Sequence, residues 1–175
     1  MLRFVRSCLV AGFLLGSFGC GYHLVGATSS LPDDLQILYV EPFENQTSWS
    51  DIDQRLVEAI SQEWVRRRRF QLVNTLAEAD VALKGVISSV IIAPVTFDDS
   101  GRATEYQMTL RATVHLDDVR GEKPETLWED RAFSRRTSYD VDVSAVDYFD
   151  RQVEAMNGLS RDFARALVSA VMEGF

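Results

Sequence analysis

Cysteine is scarce in this chain, which contains only Cys8 and Cys20 in 175 residues. Cys8 lies in an apolar stretch at the amino terminus, and Cys20 follows that stretch closely. If the stretch is removed as a leader, one thiol remains and has no cysteine to pair with. The sequence therefore excludes a domain that is stabilised by intramolecular disulfides and a zinc site made of several thiolates.

Groups for catalysis or metal binding are also few. The two histidines, His23 and His115, have no cysteine, histidine or acidic residue at the spacing of a zinc site. The acidic pairs at 98–99 and 117–118 fall at predicted turns, where aspartate is favoured because its side chain hydrogen-bonds the local backbone. Glycine-rich phosphate loops and glycine-flanked serine nucleophiles are missing. We therefore expect no enzyme, no metal site and no cofactor.

Positive charge is in the minority, with 18 Lys and Arg against 26 Asp and Glu and a formal net charge of −8. Loss of Arg3 and Arg6 with a leader would take the net charge to −10. Because an acidic domain repels phosphate backbones, we expect no nucleic acid partner. After Cys20, the sequence has no apolar run of the length needed to cross a bilayer.

The chain begins with the features of an export leader. A basic head is followed by an apolar run at 8–15 and by the segment Gly16-Ser17-Phe18-Gly19. This order predicts a signal peptide over residues 1–19, which is too short to span a bilayer.

Cys20 stands at the position where exported lipoproteins carry their lipid. Gly19 fits the small residue before such a cysteine, whereas Phe18 is large and Ser17 stands where Leu is usual. We predict lipidation at Cys20, and the alternative is an ordinary thiol in a secreted domain. A diacylglyceryl group and an N-acyl chain supply two or more tails, and each buried methylene contributes about 0.8 kcal/mol, so the anchor would hold the chain on a membrane.

The mature chain of 156 residues is one domain by length. Residues 20–34 are predicted to be a lipidated amino terminus and tether, because they are rich in small and polar residues and end in a turn at 31–34. Residues 35–175 are predicted to form a single α+β domain.

The first half of this domain carries a strand signal and then a helix signal. Residues 35–43 have apolar side chains on both sides, which predicts an interior strand that stops at Pro42. Ser50 and Asp53 form a capping arrangement for a helix that runs to about Arg68. Its apolar stripe consists of Ile52, Leu56, Val57, Ile60, Trp64 and Val65. The arginines at 66–69 end this helix, where they favour the helix dipole; a phosphate-binding patch is the alternative.

Strands dominate the second half. Residues 70–73 and 81–96 are predicted strands, the longer one with a bulge or bend near Gly85. A turn at 98–101 joins it to the next strand as a hairpin. That next strand, 103–119, alternates apolar and polar residues, and its dry face consists of Tyr106, Met108, Leu110, Ala112, Val114 and Leu116.

A further strand is predicted over residues 126–139 and a closing helix over 144–175. The apolar residues with helical spacing are Phe149, Val153, Met156, Leu159, Phe163, Leu167, Val168, Val171 and Met172. Two helices can cover one face of a sheet while its other face meets water or a partner. The predicted fold is a two-layer α+β sandwich, with two helices on one face of a mixed, mostly antiparallel sheet of four to five strands.

Three segments of the chain stand out together. They are the start of the mature chain, Gly19-Cys20-Gly21-Tyr22-His23-Leu24, then Leu31-Pro32, and above all Gly101-Arg102-Ala103-Thr104-Glu105-Tyr106-Gln107-Met108. In these segments the chain resembles a known family, the LptE lipopolysaccharide-assembly lipoproteins of Gram-negative outer membranes. The resemblance implies a plug and assembly partner for the LptD β-barrel that also binds lipopolysaccharide. It further implies an outer-membrane, lipid-anchored protein that faces the periplasm and lies inside the barrel lumen. Gly21 agrees, because an Asp there commonly signals retention in the inner membrane.

The resemblance also suggests site residues. Contact with the barrel is expected at Glu105, Tyr106 and Gln107. Lipopolysaccharide carries phosphates, so its binding inside an acidic domain requires local cations. The candidate cations are Arg102, Arg111, Arg135 and Arg136, and scattered surface arginines without a shared role are the alternative.

Two other functions stay open at this point. One is a lipid-anchored periplasmic carrier of a small apolar ligand, which would show a closed apolar pocket between helices and sheet. The other is an auxiliary lipoprotein of an inner-membrane transporter, which would differ in the membrane that holds it.

Overall fold

The fold is built on one mixed sheet that two helices cover. The computed structural model describes residues 31–141 and 147–174 of the chain, without the side chains of residues 147 and 148. The elements in chain order are β1 (Ile37–Val40), β2 (Glu44–Asn45), α1 (Ile52–Arg67), β3 (Gln71–Val73), β4 (Val81–Phe97), β5 (Ala103–Asp118), β6 (Glu125–Asp140) and α2 (Asp147–Glu173). The sheet order is β3-β1-β4-β5-β6, and the two-residue β2 pairs with β4 in addition.

The sheet has a parallel side and an antiparallel side. Strands β3, β1 and β4 run parallel, with Leu38 opposite both Leu72 and Val81. Strands β4, β5 and β6 form an antiparallel meander. The predicted two-layer α+β sandwich with a mixed, mostly antiparallel sheet is confirmed.

The first predicted strand is divided in the structure. Residues 37–40 form β1, the Glu41 N–H still donates to the Leu83 carbonyl at 2.9 Å, and strand pairing resumes as β2 after Pro42 and Phe43. Pro42 has no N–H to donate to a ladder, which accounts for the interruption. Phe43, which lies between the two strands, packs against Gly85 of β4 so closely that a Cβ there would overlap its ring.

Helix α1 buries the predicted stripe, with Ile52, Leu56, Ile60 and Trp64 almost fully inaccessible to solvent. The predicted cap is wrong, because the N-cap is Asp51, in the left-handed conformation with φ 62°, and no side chain caps the helix. Val65 does not belong to the buried stripe, since it is 62% exposed. Val65 lies at the edge of the apolar stripe, next to Trp64, whose side chain is fully buried.

The β4–β5 hairpin forms where the turn signal predicts it. The Asp98 N–H donates to the Arg102 carbonyl at 2.8 Å, and Gly101 has φ 78°, a conformation that glycine adopts without strain. The predicted irregularity in β4 is a bulge between Ile87 and Ser89, just beyond Gly85.

Helix α2 runs parallel to α1, because the side chain of Arg55 donates to Asn157 and that of Arg67 donates to Ser169. This register places the residues of α2 before about 154 beyond the start of α1. Phe149 and Val153, which the helical spacing predicts to be core residues, are accordingly 72% and 48% exposed. The buried face of α2 begins at Ala155, and its Phe163 meets Phe133 of β6 edge to face at 4.9 Å.

Candidate functional site

The face of the sheet away from the helices is the candidate functional site, and we call it the open face. Alternation along β5 sends Met108, Leu110, Ala112, Val114 and Leu116 into the core, all fully buried. The polar residues between them point the other way. They are Gln107, Thr109, Arg111, Thr113 and His115.

A shallow depression of about 410 Å³ lies on the outer part of β5 and β6. Thr109 is paired with Arg136 and Arg111 with Ser134 across the two strands. Arg111 and Arg136 are therefore diagonal neighbours, at roughly 7–8 Å between their backbones, and long side chains can meet over that distance. The residues that line the depression are Gln107, Thr109, Arg111, Ser134, Arg135 and Arg136. Two guanidinium groups and several neutral donors thus share one exposed depression, which suits phosphate.

Arg135 contributes to the same depression in a different way. Its guanidinium lies 4.7 Å from the ring centroid of Phe133, a core residue, and donates to the Ser134 carbonyl. Since residues 133 and 135 share a face of β6, Arg135 leans toward the helix side and reaches the depression only from the strand edge.

Arg102 is not brought to the depression. It lies at the β4–β5 turn, where its Nε donates to the Asp98 carboxylate at 3.0 Å and its backbone N–H donates to the other oxygen at 3.0 Å. The Ser100 hydroxyl, the Arg102 N–H and the Arg102 side chain hold the pKa of Asp98 well below its usual range. The structure thus divides the four candidate arginines into a group of three and a single paired one.

The three residues predicted to contact a barrel lie on two faces. Glu105 accepts a hydrogen bond from the Thr96 hydroxyl at 2.7 Å, and Gln107 lines the depression. Tyr106 lies on the helix side and stacks on Tyr139 with 5.9 Å between ring centroids. Of the three, Glu105 and Gln107 belong to the open face.

A charged group at the other end of the open face was not expected from the sequence. Asp117 is only 5% exposed, accepts from the Thr126 hydroxyl at 2.9 Å, and lies 3.6 Å from Lys84 Nζ and 3.8 Å from His115 Nε2. Asp117 and Asp118 are the last residues of β5 rather than turn residues. The alternation of β5 predicts Asp117 on the polar side of the strand, but it does not predict that its side chain is buried.

Apolar side chains are exposed on the outer half of β4. They are Ile91, Val95 and Phe97, and Ile91 lies opposite Thr109 on the open face. Apolar residues occur along both halves of β4, so the sequence pattern does not separate the exposed half from the buried one. The distal hairpin thus presents both apolar and cationic groups.

The predicted lipidation site at Cys20 and the predicted leader lie outside the described residues. Within residues 31–141 and 147–174, three or more acidic, histidine or cysteine side chains are nowhere grouped as metal ligands. Helices in those same ranges are too short or too polar to span a bilayer.

The fold and the open face define a class, a small α+β domain with two parallel helices behind a mixed sheet whose polar face is not covered by any described residue. The sequence matches the LptE family, described as lipopolysaccharide-assembly, over residues 35–171. This span includes the whole sheet, all of α1, and α2 as far as Val171. The chain belongs to the LptE family of lipopolysaccharide-assembly lipoproteins, as the resemblance at its hairpin predicts.

Solved structures are similar to this chain at low identity. A hypothetical protein from Chlamydia trachomatis is 11% identical with a TM-score of 0.53, over 81% of this chain and 99% of that one. A Caulobacter crescentus protein is 11% identical with a TM-score of 0.50, over 75% and 88%. The rare lipoprotein B from Shewanella oneidensis is 13% identical with a TM-score of 0.48, over 79% and 92%. Comparison with curated proteins gives no match.

Proposed function

We propose that this chain is an outer-membrane lipoprotein, anchored through Cys20, that fills and helps to assemble an LptD-type β-barrel and binds lipopolysaccharide without catalysing a reaction. Its domain faces the periplasm and enters the barrel lumen. Family membership over residues 35–171 supports the general role. The observation that carries the finer proposal is the open face, with a cationic depression on an otherwise uncovered polar sheet.

The open face suits a barrel lumen because such lumens are polar and hydrogen-bonding. Gln107, Thr109 and Thr113 offer neutral donors and acceptors along one face of a long strand. The opposite face of the sheet, by contrast, packs against the helices in the core. We therefore assign barrel contact to the open face, with Glu105 and Gln107 at its outer end and Tyr106 supporting them from behind.

Site-specific photocrosslinking in intact cells tests the barrel contact. A crosslinker at Gln107 should yield an adduct with an outer-membrane β-barrel, identified by mass spectrometry. The matched position is Asp162, which is exposed on α2. Adducts from Asp162 and none from Gln107 would place the partner on the helix side and overturn the assignment.

Lipopolysaccharide binding is assigned to the depression, because its phosphates require cations and its acyl chains require apolar surface. Arg111 and Arg136 supply the cations. Ile91, which lies opposite Thr109, supplies apolar surface. Arg102 is a separate contact at the hairpin tip, already neutralised by Asp98. Charge-assisted hydrogen bonds contribute about 1.5–3 kcal/mol each.

The test is binding of purified lipopolysaccharide to Arg111→Glu and Arg136→Glu. Each variant should lose at least about ten-fold in affinity, because reversal replaces an attraction with a repulsion. Arg151→Glu makes the same change in net charge on an exposed residue of α2. If Arg151→Glu lost as much affinity, the effect would be due to overall charge and not to the depression. If Arg111→Glu and Arg136→Glu kept their affinity, the depression would not be the binding site.

The alternative of an apolar-ligand carrier gains no support. The depressions seen in the described ranges are lined largely by charged and polar residues, including the cleft between the helices at Arg55, Gln62 and Asn157.

A further inference from the structure

The end of the domain where the tether joins is held in a fixed place. Arg69, just after α1, donates to the Leu35 carbonyl at 2.8 Å and to the Pro32 carbonyl at 3.0 Å. Asp34 accepts from Arg120 of the β5–β6 turn at 2.7 Å, and Leu31 and Leu35 are buried. The tether therefore leaves the domain beside the carboxyl end of α1.

Chain length keeps this end close to the point of attachment. Cys20 and Leu31 are 11 residues apart, and even fully extended chain spans at most roughly 3.3–3.6 Å per residue, or about 40 Å. Strand β4 alone, with 17 residues, is about 50 Å long and carries the hairpin tip away from this end. A membrane that holds Cys20 thus meets the end of α1 before the distal hairpin.

Four consecutive exposed residues lie at this place, and we call them the α1 terminal patch: Val65, Arg66, Arg67 and Arg68. The Val65 side chain projects into solvent, and Arg66 is 69% exposed although it pairs with Glu63. Val65 and Arg68 line one surface depression together with Asp33 and Arg69, so the patch adjoins the base of the tether.

The local charge of this region is opposite to that of the whole chain. The arginines at 66–69 have nearby carboxylates in Glu63, which is buried, and in Asp33 at the rim. A net positive, partly apolar surface beside a lipid tether on an acidic domain is complementary to anionic headgroups.

We propose that the α1 terminal patch docks on the surface of a bilayer that contains anionic phospholipid, with Val65 in the interface and Arg66 and Arg68 on lipid phosphates. This rests on the attachment through Cys20 proposed above. The tether supplies proximity, and the patch selects which end of the domain rests on the membrane. Each arginine near an anionic surface contributes about a five-fold change in the docked population.

The full chain, processed and lipidated in its host and purified in detergent, is suited to a label test. Besides Cys20, whose sulfur the lipid would block, the mature chain has no cysteine. A fluorophore on Gln62→Cys, one turn before Val65, reports on the patch, and one on Asp99→Cys reports on the hairpin tip. Both are reconstituted with vesicles of phosphatidylcholine, alone or with about one-third phosphatidylglycerol, that carry a lipid-borne quencher.

We expect quenching at position 62 in the anionic vesicles, little quenching in phosphatidylcholine alone or at high salt, and none at position 99. In the Gln62→Cys background, Arg66→Gln combined with Arg68→Asn should reduce the docked population by about 25-fold. Asparagine suits the left-handed backbone of residue 68, and melting curves check folding. Arg151→Gln is the control at the far end of α2.

Two failures are distinguishable. If the protein does not float with either vesicle, the lipid attachment is wrong and the docking falls with it. If it floats with both but position 62 is quenched no more than position 99, the attachment stands and the docking is overturned.

Discussion

At the scale of single residues, the two glycines of β4 and α2 have opposite surroundings. At Gly85 a Cβ would overlap the Phe43 ring, whereas at Gly158 no atom lies within 4 Å of the position a Cβ would take. The sequence marks both as weak points in regular elements, and only packing separates them.

We expect Gly85→Ala to lower the free energy of unfolding by about 1–3 kcal/mol, because the core would be overpacked. Gly158→Ala should raise it by about 0.5–1 kcal/mol through higher helix propensity. Urea denaturation of both variants measures the difference, and a loss of stability in Gly158→Ala would contradict the open space seen there.

Glu63 is a buried carboxylate whose charge depends on two neighbours. Burial alone would raise its pKa, but hydrogen bonds from Arg67 and Arg66 together exceed that effect and hold the pKa below 4.5. Because the folded-state pKa is lower than the unfolded one, this group stabilises the fold at pH above about 4.5. The contribution is lost as the pH falls through the folded-state pKa.

Glu63→Gln should therefore cost about 1–3 kcal/mol at neutral pH and flatten the loss of stability below pH 4.5. Melting temperatures from pH 7 to pH 3 would show this. Glu58→Gln, an exposed change on the same helix, should keep the slope of the unmodified chain.

At the scale of elements, α2 combines an exposed start with a buried remainder. Its helical spacing is continuous from Phe149 to Val171, so the pattern alone predicts one uniform face. Because α2 is aligned in parallel with α1, only the part of α2 that lies beside α1 can be buried against it. Val153 lies before that part and is exposed, whereas Phe163 lies within it and is fully buried.

Phe163→Ala should destabilise the domain by about 3–5 kcal/mol, because it removes the ring that packs on Phe133 and leaves a cavity. Val153→Ala should cost less than about 0.5 kcal/mol. Chemical denaturation compares them, and similar costs would mean that the first turns of α2 are packed in solution.

The sheet shows a similar division between what was predicted and what was not. The hairpin, the alternation of β5 and the closing helix were predicted from turn chemistry and periodicity, both local properties. The stop at Pro42 and an irregularity near Gly85 were also predicted, from proline and glycine. The return of the chain to the sheet as β2 and the parallel pairing of β1 with β3 and β4 depend on contacts far along the chain. Short strands carry too few side chains to specify such partners by pattern.

At the scale of the whole molecule, Arg69 joins the base of the tether to the helix layer. It donates to two carbonyls of the segment that precedes β1. A favourable interaction with the helix dipole therefore does not by itself explain the presence of Arg69 among the arginines at 66–69.

Arg69→Gln should lower the free energy of unfolding by about 1–3 kcal/mol, since the part-buried Leu35 carbonyl and the exposed Pro32 carbonyl lose a charged donor. Limited proteolysis should then cut faster near residues 31–36, while α1 keeps its helical signal. Arg165→Gln, an exposed pair on α2, serves as the control. Unchanged cleavage in Arg69→Gln would show that buried Leu31 and Leu35 hold the segment without it.

The sequence predicted which face of the sheet carries the candidate site, but not which arginines come together there. Alternation along β5 placed Arg111 and Gln107 on the uncovered side, yet it could not pair Arg111 with Ser134 or bring Arg136 beside it. Arg102 is equally basic in sequence, and its capture by Asp98 depends on the geometry of one turn.

By itself the sequence determined the periodic elements, the acidic charge and the family, because these follow from composition and from residues near one another in the chain. Tertiary structure alone decided the order of the strands, the burial of Asp117, the exposure at both ends of the helix layer and the meeting of three arginines in one depression. These follow from strand register and helix alignment, which are chosen by packing between residues distant in the chain.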